Sequence, residues 1–225
     1  MLLQRFIDSA RTLIAMLLLA VIAGCASGPS TSGEQERGDR SSSGDAGGDA
    51  VAAEKVMPVI PPDVLTLYEQ ASAVMAAGDM VDAELRFKEF VLLYPEYPGA
   101  WVNLAIIHGE NSDDEAARAA IDSALGLDPD HPAALNQLGM LLRRNGNFLE
   151  AEAAYLKAVT VSPDYALAHY NLGVLNELYL QRLDSALQHF EAYQALVGED
   201  KQVEKWITDL RRRTAANQRT ANVAD

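Results

Sequence analysis

Cysteine is all but missing from these 225 residues: Cys25 is the only one. A single thiol excludes an intramolecular disulfide and any zinc site built on several thiolates. Histidine is scarce too. His108, His131, His169 and His189 are the full set, and no two fall at the i, i+4 spacing that puts two imidazoles on one helix face, so they read as structural or surface residues. Lys and Arg are sparse before Lys201 and the net charge is -14, which excludes nucleic acid as a partner, because neutralising phosphates takes clustered cations. Attachment through anionic lipid head groups is disfavoured for the same reason. There is no Gly-rich phosphate loop, no G-x-S-x-G and no paired acidic site, so the chain reads as a non-enzyme that needs no cofactor. Asp113, Asp114 and Glu115 stand together, but without the D-x-D-x-D-G ligand spacing of a calcium loop. Acids in that position suit the start of a helix.

What the chain does have begins with its leader. Arg5 and Arg11 precede the apolar run Leu13 to Gly24, too short for the roughly 20 residues that span a bilayer. The run ends Ile22, Ala23, Gly24, Cys25. This resembles the lipobox of bacterial lipoproteins. The resemblance implies cleavage after residue 24 and acylation of Cys25, a permanent anchor when several chains are attached. Ala26 stands where an aspartate would favour retention in the inner membrane, so the expected location is the outer membrane, facing the periplasm. From Ala26 to about Ala50 the chain is rich in Gly, Ser and Asp, with no apolar periodicity. It reads as a flexible tether, and the anchored Cys and tether together occupy 25–60.

Beyond the tether the sequence repeats. Pro95, Pro129 and Pro163 are spaced by 34, as are Ala83, Ala117 and Ala151, and four residues after each alanine comes a bulky residue, Phe87, Ile121 or Tyr155. Three columns sharing one period indicate stacked supersecondary units. With Trp101-x2-Leu104-Ala105 and Leu135-x2-Leu138-Gly139 at the heads of two units, the pattern resembles the tetratricopeptide repeat. The fold expected is all-α: a right-handed superhelical solenoid of about four helix pairs over 61–200, plus a C-terminal capping helix. Small residues at the eighth position, Ala71, Ala105, Gly139 and Gly173, let helix A approach helix B, and each proline closes helix B. In the fourth repeat Ala186 and Phe190 come one residue late, so the turn around Leu180 to Arg182 must absorb an insertion.

Val203, Trp206, Ile207 and Leu210 form one apolar stripe after Lys201, the pattern of a terminal cap. The cap is expected over 201–214 and a disordered tail over 215–225. Residues 201–225 carry six Lys or Arg against three acids. Arg211, Arg212 and Arg213 suit the C-terminal dipole of that helix, with a docking patch for an acidic partner as the alternative.

The resemblance also assigns an inner groove, lined by helix A positions two, five, six, nine, twelve and thirteen. Its candidate partner-binding residues here are Tyr68, Asn103, Asn136, Gln137, Met140, Arg143, Arg144, Tyr170 and Asn171, amides and cations beside apolar and aromatic groups that suit a peptide. The function this implies is a lipid-anchored scaffold that binds periplasmic or outer-membrane proteins. The layout resembles the lipoproteins that pilot secretin rings of type IV pili. The alternative is a receptor for a small lipid or peptidoglycan fragment, which an enclosed apolar cavity would favour.

Overall fold

The computed structural model describes residues 60–224, with side chains described through residue 219. The leader, Cys25 and the tether up to residue 59 lie outside the described residues. Among those described, every regular element is a helix: α1 (Pro62–Ala76), α2 (Met80–Leu93), α3 (Pro98–Glu110), α4 (Asp114–Leu127), α5 (Pro132–Arg144), α6 (Phe148–Val161), α7 (Ala166–Leu178), α8 (Leu183–Val197) and α9 (Lys201–Ala224). None is long and apolar enough to cross a membrane. The helix packing described below is that of the compact unit from Thr66 onward.

Helices α1 to α8 form four A–B pairs, stacked into an all-helical solenoid. Local chemistry sets their ends. Pro98 and Pro132 open α3 and α5 at the one place where a missing N–H costs nothing. Asp79 and Asp113 cap α2 and α4, their carboxylates accepting from the N–H of Asp82 at 3.1 Å and of Ala116 at 3.0 Å. The acids at 113 to 115 are therefore a helix start, as their position implied.

Each A–B turn contains one residue with positive φ: Gly78 at 86°, Ser112 at 61°, Gly146 at 81° and Gln181 at 54°. The residue before each B helix closes the turn by donating to the carbonyl at position eleven of helix A. In the first three pairs the bond runs five residues back, from Asp79 to Val74, Asp113 to His108 and Asn147 to Leu142. In the fourth it runs six, from Arg182 to Asn176. The extra residue sits in this turn, as the displaced Ala186 and Phe190 required, and α7 before it keeps the 13 residues of α3 and α5. At the other end of the first three pairs, the carbonyl of the periodic proline is also taken up. Trp101 Nε1 donates to Pro95 at 2.9 Å, Lys157 Nζ to Pro129 at 2.7 Å and His169 Nε2 to Pro163 at 3.1 Å.

Within a pair, packing turns on the eighth position. A Cβ added to Gly139 would lie 2.5 Å from the Tyr155 ring, and one added to Gly173 would lie 2.6 Å from the Phe190 ring. Both rings are fully buried. In pairs three and four the bulky B residue thus packs directly against bare A-helix backbone. Ala71 and Ala105 hold the equivalent buried positions in pairs one and two.

Helix α9 continues the register. Positions three and ten of the A helices are buried as Ala100 and Ile107, Ala134 and Leu141, Ala168 and Leu175. Val203 and Leu210, also buried, are the next members once the extra residue is counted. The cap therefore stands in the register of a fifth A helix, and among the described residues no B helix of its own packs on it. Its eighth position is exposed Thr208, flanked by Lys201, Glu204, Lys205 and Arg212 on the uncovered side, and this polar face ends the stack. Two expectations need correcting. The helix runs to Ala224, past the residue 214 at which the sequence reading stopped it, because the segment is rich in helix formers and contains no Gly or Pro. Arg211, Arg212 and Arg213 consequently lie in mid-helix and cannot serve its C-terminal dipole.

If the eighth position sets the helix spacing, Gly139→Ala and Gly173→Ala each force a ring out of place and cost about 1 to 3 kcal/mol. Gly126, in α4 with open space around it, supplies the contrast. Gly126→Ala is expected to be neutral or stabilising by up to about 1 kcal/mol. Thermal melts of the three variants check the ranking.

Candidate partner-binding groove

Helix α3 packs directly on α5, and α5 on α7, whereas successive B helices are more widely spaced. The A side is therefore the inner face. Each of its positions has a fixed partner in the next pair, offset by 34 residues plus one.

That offset consumes most of the residues expected to meet a partner. Asn103 Nδ2 donates to the Tyr68 hydroxyl at 3.0 Å, and Asn171 Nδ2 donates to Asn136 Oδ1 at 2.9 Å. In each case the sixth position of one A helix reaches the fifth position of the helix before it. Asn103, Asn136 and Asn171 are all buried, Asn136 to 1% exposure. They are not presented to solvent, which corrects their assignment as contact residues: a buried amide needs an internal partner, and the neighbouring repeat supplies it. Burial pushes the Tyr68 hydroxyl pKa up, against the opposing effect of its bond to Asn103.

Tyr170 and Trp206 occupy the same two positions at the end of the array. Here the link is between rings, with centroids 6.0 Å apart, and Tyr170 also packs on Phe190 and Tyr193. Trp206 lies 5.4 Å from Phe190. This cluster, with Val203, Ile207 and Leu210 beside it, is the core that fastens α9 to α8. Tyr170 is thus a half-buried packing residue, its hydroxyl pKa raised mainly by burial, and not the free aromatic anchor that the sequence suggested.

The cations are largely taken as well. Arg144 Nη1 donates to the Gly109 carbonyl at 2.8 Å, and its other nitrogen pairs with Asp114. Arg213 meets Glu177 at 2.7 Å, and Arg211 meets Glu191 at 2.7 Å. Arg212 pairs with Asp209. Arg211 and Arg213 thus tie α9 to α8 and α7, while Arg212 pairs within its own helix and Lys201 and Lys205 stay exposed. Arg143 differs. It is half-buried near Tyr170, and among the described residues it enters none of the salt bridges that hold Arg144, Arg182, Arg211 and Arg213.

What the inner face still offers is the ninth-position column. Ile106 and Val174 are half-buried and Met140 is 38% exposed, with Gln137 and Arg143 alongside. Met140 makes only a weak contact through its sulfur, which accepts from Asn136 Nδ2 at 3.7 Å.

The fold also brings together a pair that the sequence reading missed. His169 on α7 and His189 on α8 face each other, Nδ1 to Nδ1 at 3.2 Å. Burial lowers the His189 pKa, with His169 adding to the effect and Glu152 opposing it. Their separation along the chain belongs to no helical repeat, so only the packing of helix A on helix B reveals them.

These features define a helical-repeat solenoid with an open inner groove. The sequence model of the tetratricopeptide repeat matches residues 68–132 and 136–201, more than half of the chain, and the chain belongs to that family. Such arrays are protein-interaction scaffolds, and no catalytic family is indicated. Comparison with curated proteins finds no significant match. Among solved structures, PilF of Pseudomonas aeruginosa is similar at 20% identity and a TM-score of 0.61, over 68% of this chain and 69% of that one. MamA of Desulfovibrio magneticus RS-1 is similar at 18% identity and a TM-score of 0.55, over 73% of this chain and 92% of that one. At these identities the likeness is one of fold.

If the amides are stacking residues, Asn171→Ala leaves Asn136 Oδ1 buried without its donor and costs about 1 to 3 kcal/mol. Tyr170→Ala opens the terminal cluster and costs about 2 kcal/mol or more. Gln137→Ala, at a half-buried site facing apolar Val102 across the same offset, is expected to stay within about 0.5 kcal/mol of wild type. Denaturant titration of the three variants reads these differences directly.

Proposed function

We propose that this chain is a lipid-anchored envelope scaffold, held at the outer membrane through Cys25 and presenting its repeat groove to protein partners on the periplasmic side. On this reading it serves the assembly of an envelope complex such as a pilus or its secretin ring. The observation that carries the binding role is what stacking leaves over. With the buried amides, Arg144 and Tyr170 committed to neighbouring repeats, the groove still exposes Met140 between Ile106 and Val174, with Arg143 beside them. A flexible thioether flanked by aliphatic side chains accepts varied apolar residues. A lone guanidinium at its edge suits a carboxylate of the bound segment. The anchor rests on the residues around Cys25, and the long Gly/Ser-rich stretch behind it would give the array room to reach partners.

Two experiments test the two halves of this reading. Replacing Met140 and Arg143 together by Glu inverts the charge and polarity of the exposed column, while both sites remain accessible to solvent. A photo-crosslinker placed at Ile106 is then expected to trap its protein partner at least tenfold less well, the loss of about 2 kcal/mol that a hot spot supplies, with the melting midpoint within a few degrees of wild type. Unchanged crosslinking in a folded variant would place binding on another face. For the anchor, Cys25→Ser is expected to abolish metabolic labelling by a fatty acid and to release the protein from the membrane fraction. Persistent labelling would remove the lipid from the account.

A further inference from the structure

We propose that His169 and His189 form a two-histidine clasp for a divalent transition-metal ion, zinc being the reference case, which ties α7 to α8 in the fourth repeat. The facing Nδ1 atoms are 3.2 Å apart. Two nitrogens bound to one tetrahedral zinc at about 2.0 to 2.1 Å stand about 3.3 Å from each other. The rings therefore already have the separation that a shared ion requires, and each must turn in place so that the two lone pairs converge on the ion and not along the line between the nitrogens.

The surroundings favour that role for His169. Its Nε2 lies 3.1 Å from the Pro163 carbonyl. A carbonyl only accepts, so Nε2 carries the hydrogen, and Nδ1 is left with its lone pair directed at His189. A backbone carbonyl on the far nitrogen is the arrangement that fixes the tautomer and orientation of metal-binding imidazoles. Both histidines are half-buried, accessible to an ion from solvent yet held by their helices. Without metal the same geometry is satisfied by a hydrogen on His189 Nδ1 donated to His169, so the pair is stable in either state.

Among the described residues no set of three His, Cys, Asp or Glu side chains converges on one point. The remaining coordination positions therefore fall to water, and the clasp is open, unlike the closed four-ligand sites that drive folding. The nearby Glu152 carboxylate, whose charge acts on His189, is held by Arg182 through bonds of 2.8 and 2.9 Å.

The test uses the full chain with zinc chloride as the probe. Histidine ring signals are followed by NMR during titration, with His108 and His131 as internal references. The signals of His169 and His189 are expected to shift together at substoichiometric zinc while the other two stay in place. At saturating zinc the melting midpoint is expected to rise by roughly 3 to 6 °C. His169→Gln and His189→Gln keep a hydrogen-bonding group at each site and are expected to fold and to lose at least half of that rise. The proposal fails if zinc leaves the two wild-type ring signals unmoved. It also fails if both variants keep the full rise, which would mean that the pair only shares a proton.

Discussion

The structure depends on one steric constraint: at the eighth residue of each A helix there must be almost nothing, because a buried side chain of the B helix lies there. At Tyr155 and Phe190 the ring lies so close that even a methyl group does not fit, whereas pair one combines a buried Phe87 with the methyl of Ala71. Close contact of ring and backbone gathers many small dispersion gains in one place. It also fixes the distance and rotation of the two helices, and hence the loop that can join them. The constraint tolerates an added residue as long as the turn takes it up, as the fourth pair does between Leu178 and Leu183. It also accounts for the uncovered face of α9. At Thr208 no ring arrives, and the side of α9 that would receive a B helix is charged instead.

Once the pairs have one geometry, neighbouring pairs meet at one offset, and the same contact recurs with different chemistry. It is an amide on a phenol at Asn103 and Tyr68, an amide on an amide at Asn171 and Asn136, and an indole beside a phenol at Trp206 and Tyr170. Near the ends of the A helices it becomes a guanidinium on a carbonyl or a carboxylate, at Arg144 and at Arg213. Polar groups on the inner face thus serve first to satisfy one another under burial. What this leaves exposed on the inner face is a short apolar column with a single cation beside it.

Much of this was legible in the sequence. The period, the small eighth residues, the late Ala186 and the stripe on α9 are each set by sterics that few residue types satisfy, so the spacing of those types gave the fold. The roles of the inner-face residues were less accessible. An asparagine that bonds to the next repeat and one that bonds to a ligand occupy the same helix position, and helix periodicity does not separate them. The signal that was present lay in pairs across repeats: Tyr68 with Asn103, Asn136 with Asn171, and, after the inserted residue, Tyr170 with Trp206. The facing histidines left no such trace, because their contact crosses from helix A to helix B. The length of α9 was misjudged for a different reason. Polar, alanine-rich sequence was read as disorder, although nothing in it stops a helix.

The most direct test of the central constraint is a double-mutant cycle on Gly139 and Tyr155, measured by denaturant unfolding. If the ring is what forbids a side chain on α5, Gly139→Ala loses at least about 1 kcal/mol of its cost when Tyr155 is already Leu, a coupling typical of residues in direct contact. If the two substitutions are additive within about 0.3 to 0.5 kcal/mol, the ring and the bare backbone are independent, and the helix pairs are held at their spacing by something else.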